Sequence, residues 1–254
     1  MADLRLDEEA YIEDMAAVTP GTLLISNKIE KCVQLLDNRK GRLLCEVELQ
    51  DVPGRMCLTD RNTAAVCVGE DEIQMIQVKD KTLTLGRVVT VGKNILGITS
   101  SGNTLMVSYW KKPWLEKVSM DGLVLKQFDM KGNPQHFQYP DFMCTTPDGS
   151  VFISDHGTKI ITQVDKSLKI HQMFTSPLLF DPWGITAVTE DQILVCSCHN
   201  HSIVLLQLST NTISTLLGKD DEIHFPPSLA YCPDQKKLYV ASFLSDKIKV
   251  YQIA

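Results

Sequence analysis

Residues 182–208 carry the pattern that decides the fold, PWGITAVTEDQILVCSCHNHSIVLLQL. This stretch predicts three short β-strands at residues 185–188, 193–198 and 203–208. A Thr-Glu-Asp turn separates the first two strands, and a polar Cys-His-Asn-His-Ser corner separates the last two. Short runs rich in apolar and β-branched residues, bounded by turn residues, are typical of strands rather than helices.

The same order of strands recurs along the chain with a period of roughly 40 residues. The second strand of each unit begins near Thr22, Ala64, Thr104, Val151, Ile193 and Lys237. A polar corner and a third strand follow each of these runs, and a fourth strand closes the first five units. The pattern predicts an all-β, six-bladed β-propeller of four-stranded blades, formed by one domain over residues 1–254. A two-layer β-sandwich is the competing architecture, and the regular period argues against it.

The last unit ends with the chain after only three strands, whereas residues 2–7 (ADLRLD) precede the first unit and have no partner there. We therefore expect this N-terminal strand to complete the last blade. Such a closure joins the two ends of the chain and leaves no sheet edge open. The strand-like sequence directly after Met1 and Ala2 also suggests a fragment of a longer protein.

Composition limits the possible functions. The formal net charge of −6 over 254 residues argues against broad binding to phosphate backbones. The eight cysteines lie mostly inside apolar runs and show no disulfide spacing, so we expect a reducing, cytoplasmic environment. We predict no signal peptide and no membrane association, because no apolar run reaches the ~18 residues that a membrane helix needs.

Two motifs within one repeat carry a family resemblance, Pro182-Trp183-Gly184-Ile185 and Asn200-His201-Ser202-Ile203. Looser matches occur at residues 154–157 (SDHG) and 245–248 (SDKI), in the fourth and sixth repeats. The chain therefore resembles the NHL repeat family, whose propellers form the C-terminal domains of tripartite-motif ubiquitin ligases. The first three repeats depart further from the family pattern.

This resemblance implies a module that recognises a protein target for ubiquitin transfer, with a family-level link to innate immunity. The RING, B-box and coiled-coil parts of such a ligase would lie outside this chain. The isolated domain would be a monomer, and its parent would be a coiled-coil dimer. Some NHL propellers bind RNA, which is the alternative function that the resemblance implies.

The loops from second to third strands and the loops between blades lie on one face of a propeller. In this sequence they collect aromatic and basic residues, which are common in recognition surfaces. We predict a partner-binding surface, richest in blades three to six, made of Lys28, Trp110, Lys111, Lys112, Trp114, His136, Phe137, Tyr139, Asp141, His156, Lys159, Phe180, Trp183, His199, His201, His224 and Phe243. Some of these aromatic residues could instead pack between blades, as we expect for Phe225.

The same aromatic and basic residues could bind RNA by stacking on bases and pairing with phosphates. However, two acidic stretches, residues 70–72 (EDE) and 220–222 (DDE), fall on the same predicted face. They leave that face close to neutral, and this balance favours a protein partner over RNA.

Cys196, Cys198, His199 and His201 are residue types that bind zinc. The two cysteines lie two apart on a predicted strand, and the histidines lie on the corner beyond it. Convergence of all four on one ion is not expected from this arrangement. We predict no metal and no cofactor.

Asp51, Asp141, Asp181 and Asp221 occur where blades begin, and they could form the carboxylate ring of a lactonase-like propeller. No base or nucleophile accompanies them at a diagnostic spacing. Aspartates are also common where strands start and turns are capped. We therefore predict no catalytic residue in this chain.

Overall fold

The computed structural model describes residues 3–6, 11–19, 21–111, 114–128, 137–243, 245 and 247–253. In chain order the strands are β1 (Leu4–Arg5), β2 (Ile12–Thr19), β3 (Thr22–Asn27), β4 (Cys32–Asp37), β5 (Leu43–Glu48), β6 (Pro53–Asp60), β7 (Thr63–Val68), β8 (Glu72–Lys79), β9 (Thr82–Thr90), β10 (Ile95–Ser100), β11 (Thr104–Tyr109), β12 (Leu115–Ser119), β13 (Val124–Gln127), β14 (Pro140–Thr145), β15 (Val151–Asp155), β16 (Ile160–Val164), β17 (Ile170–Phe174), β18 (Pro182–Ala187), β19 (Gln192–Ser197), β20 (Ser202–Gln207), β21 (Thr212–Leu217), β22 (Leu229–Cys232), β23 (Lys237–Ala241) and β24 (Lys247–Gln252). A single 3₁₀ turn at Lys219–Asp221 is the helical part of the described residues. Among these residues no helix is long and apolar enough to cross a bilayer.

Six four-stranded antiparallel sheets form the six blades. Each of blades 1 to 5 uses four consecutive strands, starting with β2, β6, β10, β14 and β18. Blade 6 has the order β22-β23-β24-β1, so the N-terminal strand completes it. The first strands of neighbouring blades contact one another around a ring, from β2 through β22 and back to β2. The predicted six-bladed propeller and its closure by the N-terminal strand are both confirmed.

The second strand of each blade is buried on both faces, as β3 and β19 illustrate. Neighbouring blades cover both faces of these strands, and their sequences are therefore continuous apolar runs rather than alternating ones. The outermost strands have more exposed residues, and β13 is exposed throughout. All eight cysteines are free, and six of them are buried.

The N-terminal strand is short but well anchored. Leu4 is opposite Ile248 and Arg5 is opposite Lys247 in the pairing of β1 with β24. Leu4 and Leu6 are buried in a cluster that spans blades 6 and 1. An ion pair of 2.9 Å between Asp3 Oδ2 and Lys249 Nζ lies beside this pairing.

The innermost strands share an irregularity near their first residues. The registers of β2, β6, β10, β14 and β18 each shift there, for example between Ile95 and Ile98 in β10. A bulge bends its strand and redirects side chains. At Gly97, inside one such bulge, a Cβ atom would lie 2.2 Å from the backbone oxygen of Asp141, so only glycine fits between blades 3 and 4.

Three innermost strands begin with a proline, namely β6 at Pro53, β14 at Pro140 and β18 at Pro182. Proline is tolerated there because the position needs no ladder hydrogen bond from its nitrogen. Pro226, in contrast, lies in the loop before β22, which begins at Leu229.

Shortening the Leu4 side chain of the closing strand β1 should destabilise the whole propeller. We expect Leu4→Ala to lower the free energy of unfolding by roughly 2–4 kcal/mol, because it leaves a cavity in the cluster between blades 6 and 1. Leu123→Ala is the matched control, since Leu123 is 67% exposed, and it should change stability by less than about 0.5 kcal/mol. Urea unfolding monitored by fluorescence measures both variants, and equal effects would contradict the role of β1 in closure.

Candidate functional site

The loops between second and third strands and the loops between blades meet on one side of the propeller, which we call the loop face. Hydrogen bonds tie the two kinds of loop together. Between blades 4 and 5, the backbone nitrogen of Phe180 donates to Ser197 Oγ at 3.0 Å, and Ser197 Oγ donates to the Phe180 carbonyl at 3.0 Å. Before blade 4, the buried Asp155 carboxylate accepts from the backbone nitrogens of Gln138 and Tyr139 at 2.7 and 3.0 Å. The loop face is therefore held by internal contacts.

All exposed Phe, Tyr and Trp side chains of the described residues lie on the loop face. We call them the aromatic arc: Trp110, Tyr139, Phe180, Phe225 and Phe243, with exposed fractions of 42–45%. They come from the loops of blades 3 to 6. This placement agrees with the expectation that the loop face is richest in aromatic residues over these blades.

Each ring of the arc contacts a second ring or a cation. Tyr139 stacks on His156 with ring centroids 4.9 Å apart and an interplanar angle of 11°. Phe180 has Lys159 Nζ 4.0 Å above its ring centroid. These neighbours restrict the rotamers of the exposed rings before any partner binds.

The remaining three rings have similar neighbours. Phe225 lies edge-on to His201 at a centroid distance of 4.0 Å, and its backbone nitrogen donates to His201 Nδ1. Phe243 lies edge-on to Tyr11 at 5.4 Å, and Lys111 Nζ lies 5.1 Å from the Trp110 ring.

Lys28 and His224 also lie on the loop face, as predicted. Lys28 Nζ is 5.4 Å from the Tyr11 ring centroid and 3.6 Å from Glu13 Oε2. The exposed His224 ring is 6.1 Å from that of His201. Desolvation and the nearby Lys219 lower the pKa of His201. His201 is therefore mainly neutral at pH 7.

Two residues predicted for the partner-binding surface are buried instead. Phe137 is 2% exposed and packs edge-on against Phe128 at 5.5 Å, so it belongs to the core. Asp141 is 5% exposed and paired with Arg55. Each was predicted from its position in an inter-blade loop, and neither is available to a partner.

Trp114 and Trp183 are half-buried. Trp114 packs on the core between blades 2 and 3, with its ring 5.8 Å from that of Tyr109. Trp183 lies 5.9 Å from the His156 ring and donates from Nε1 to Asp181 Oδ2 at 3.0 Å. The alternative of packing between blades therefore holds in part for both residues. Lys112 and His136, also predicted for this surface, lie outside the described residues.

On the innermost strands, a buried arginine links three blades. Arg55 of β6 donates from Nε and Nη2 to the two oxygens of Asp141 on β14, at 2.9 and 2.6 Å. Its Nη1 lies 2.9 Å from Glu13 Oε1 of β2, and the guanidinium stacks 3.7 Å from the Phe142 ring. Although burial alone lowers it, Asp141 and Glu13 together raise the pKa of Arg55, which therefore stays charged.

This ion pair also bears on the lactonase-like alternative. Asp141 is neutralised by Arg55, and Asp221 accepts from the backbone nitrogen of Gly218 in a local turn. The exposed Asp51 lies 3.8 Å from Lys31. Of the four aspartates, only Asp181 belongs to a group of described residues that could hold a metal ion.

That group differs from the four residues considered as zinc ligands in the sequence, Cys196, Cys198, His199 and His201. Donor atoms of Asp181, Cys198 and His199 lie within 4.8 Å of one another. His199 Nδ1 is 2.6 Å from Asp181 Oδ2. Burial and the adjacent Asp181 raise the pKa of the Cys198 thiol to about 12. Cys196, in contrast, is fully buried in the core between blades 5 and 6.

Two residues of the site were not predicted from the sequence. Tyr11 precedes the first strand motif, and no pattern marks it as part of the loop face. Phe225 was expected to pack inside, since it precedes two prolines, but it is 45% exposed. The left-handed backbone of Phe225 (φ 40°) holds the ring outward and has no signal in the sequence.

No model of a known protein family matches the chain, and no curated protein matches it in sequence. Solved structures match its fold. The β-propeller domain of Cps50 (Swd1) from Myceliophteria thermophila has a TM-score of 0.68 at 12% identity, covering 96% of this chain and 83% of that one. Virginiamycin B lyase from Staphylococcus aureus has a TM-score of 0.68 at 14% identity, covering 99% and 88%. Hydrazine synthase from Kuenenia stuttgartiensis has a TM-score of 0.67 at 16% identity, covering 98% and 97%.

At such low identity these likenesses establish the β-propeller fold and no activity. This chain is a β-propeller, a fold that commonly serves as a scaffold for protein interactions. The NHL resemblance rests on the sequence motifs alone.

The contribution of the Arg55–Asp141 ion pair to stability can be tested by substitution. We expect Arg55→Met to cost about 3–5 kcal/mol of stability, because it leaves the Asp141 carboxylate buried without a partner. The double variant Arg55→Met/Asp141→Leu should regain most of that loss, since the buried Asp141 charge is gone and Glu13 keeps its ion pair with Lys28. Chemical denaturation of wild type, single and double variants provides the comparison. A double variant as unstable as the single one would contradict this account.

Asp14 gives a prediction for pH. Desolvation raises the pKa of this fully buried carboxyl to about 6, from 3.8. The folded state therefore holds the proton more tightly, and the stabilising contribution of Asp14 is present below pH 4 and lost as pH rises through 6. Relative to wild type, Asp14→Asn should gain about 2–3 kcal/mol between pH 4 and pH 7. Parallel stability curves for the two proteins in urea would show that Asp14 titrates normally.

Proposed function

We propose that the loop face is a protein-recognition surface. The observation that carries this proposal is the aromatic arc, since all exposed Phe, Tyr and Trp side chains of the described residues are on this one face. Aromatic residues dominate the binding energy of many interfaces, and rings already held in place lose little entropy on binding. The contacts with His156, Lys159 and His201 hold three of the rings in this way.

The charges of the loop face favour a protein partner over RNA. Lys28, Lys111 and Lys159 each lie near an aromatic ring, where a cation can contact a carboxylate or a carbonyl of a partner. The acidic residues 70–72 and 220–222 oppose a polyphosphate backbone. A mixed surface of this type suits a folded protein or a peptide with both signs of charge.

The finer part of the proposal follows from the NHL resemblance. The chain would be the target-binding domain of a tripartite-motif ubiquitin ligase, with catalysis by a RING domain outside this chain and none within it. Two propellers on a dimeric coiled coil would raise avidity for a multivalent target. RNA binding is the alternative function, and a lactonase-like hydrolase is the weaker one.

A crosslinked pull-down with matched variants tests the proposal. The arc variant Phe180→Ser/Phe225→Ser/Phe243→Ser removes three rings of 42–45% exposure. The control variant Leu123→Ser/Val124→Ser/Leu125→Ser removes three side chains of 45–67% exposure at the outer edge of blade 3. We expect proteins that wild type and control retain after RNase treatment and that the arc variant loses at least tenfold. Equal capture by both variants would move the binding surface elsewhere.

Two further outcomes separate the alternatives. Loss of the captured proteins on RNase treatment, with short RNAs recovered from the untreated domain, would favour the RNA-binding function. Ubiquitination of the captured proteins, compared between cells with and without the full-length gene product, tests the ligase part separately from the recognition part.

A further inference from the structure

Three side chains of different chemistry converge where the loop before blade 5 meets the corner after β19. We propose that Asp181, Cys198 and His199 bind a divalent cation of the zinc class, with one coordination position open to solvent. Carboxylate oxygen, thiolate sulfur and imidazole nitrogen are the three donor types that proteins use for Zn²⁺. Sulfur and nitrogen together disfavour Mg²⁺ and Ca²⁺, which prefer oxygen ligands.

The distances suit an ion after small side-chain movements. The donor atoms lie within 4.8 Å of one another, and His199 Nδ1 lies 2.6 Å from Asp181 Oδ2. Ligands at 2.0–2.3 Å from a tetrahedral zinc are about 3.3–3.8 Å apart. The His199–Asp181 pair must therefore open by roughly 1 Å, and the thiol must come within about 3.8 Å of both other donors. The His199 side chain is 57% exposed, so its imidazole can move by that amount.

The backbone holds the donors together without an ion. The nitrogen of Cys198 donates to the Asp181 carbonyl at 3.0 Å, and the preceding Ser197 hydroxyl is bonded to both backbone groups of Phe180. Asp181 adopts a left-handed conformation (φ 58°), which aspartate tolerates better than most residues. The site is thus formed by two loops in fixed register.

The surroundings also support a ligating carboxylate. Trp183 Nε1 donates to Asp181 Oδ2 at 3.0 Å, and hydrogen bonds of this type orient metal-bound carboxylates. Cys198 is 6% exposed, so the apolar side of the site excludes water, while His199 faces solvent. Binding of the ion would convert the Cys198 thiol to a thiolate and release its proton to the solution.

Three protein ligands leave a fourth position for water or for a donor from another molecule. Phe180 and Phe225 of the arc lie 5.8 and 6.1 Å from the His199 ring. A bound ion would therefore fix His199 between two exposed rings. Metal binding itself does not depend on the proposed protein recognition, and the two can fail separately.

The test uses tag-free domain, treated with chelator and then titrated with ZnCl₂ by calorimetry and with CoCl₂ by absorption spectroscopy. We expect one equivalent of metal and a thiolate-to-cobalt charge-transfer band. His199→Ala and Asp181→Asn should each weaken Zn²⁺ binding at least tenfold, and Cys198→Ser should abolish the band. Asn tolerates a left-handed backbone, so Asp181→Asn is expected to fold.

The control variant Cys45→Ser/His171→Ala removes a partly exposed thiol and an exposed imidazole far from the site, and it should bind both metals as wild type does. Melting curves confirm that each variant is folded. The proposal would be overturned if the wild-type domain bound neither metal. The Asp181–His199 contact would then be a hydrogen bond and no part of a metal site. Unchanged binding in His199→Ala and Asp181→Asn would overturn it equally, because the metal would then lie elsewhere.

Discussion

The pairing of β1 with β24 is the contact on which the rest of the propeller depends. It joins residues almost a full chain length apart, since Leu4 is opposite Ile248. Without it, blade 6 would have three strands and an open edge, and the cluster that contains Tyr239 and Met15 would lose part of its cover. The loop face needs the closed ring, because its loops are positioned by contacts between successive blades.

Buried polar groups beneath the loop face also connect neighbouring blades. Ser26 Oγ donates to the Gly54 carbonyl of the next blade at 3.0 Å, and Ser108 Oγ donates to the Pro140 carbonyl of the next blade at 2.5 Å. Arg55 joins blades 2 and 4 through Asp141. A buried polar group contributes stability only when its partners are present. These bonds therefore set how one blade sits against the next, and they give the exposed rings a rigid base.

The loop face illustrates how much of a candidate site follows from sequence. Loop position correctly brought Phe180, His199 and Phe243 to one face, because every repeat places the same loops on the same side. It failed for Phe137, which turns into the core. For Phe225, the expectation of packing inside, based on the two prolines that follow it, was wrong. Neighbouring residues in one loop can point in opposite directions, and a repeat pattern does not record that difference. The convergence of Asp181 with Cys198 likewise depends on contact between two loops, which exists only in the folded structure.

The amino-acid sequence by itself determined the number of blades, the order of strands and the closure by the N-terminal segment. These features follow from the period of apolar runs, which is a local property of the chain, and from the general need to leave no sheet edge unpaired. Only the tertiary structure decided which side chains are exposed, which charges are neutralised and which donors converge. Those properties depend on contacts between blades, such as that of Arg55 with Asp141, 86 residues further along the chain.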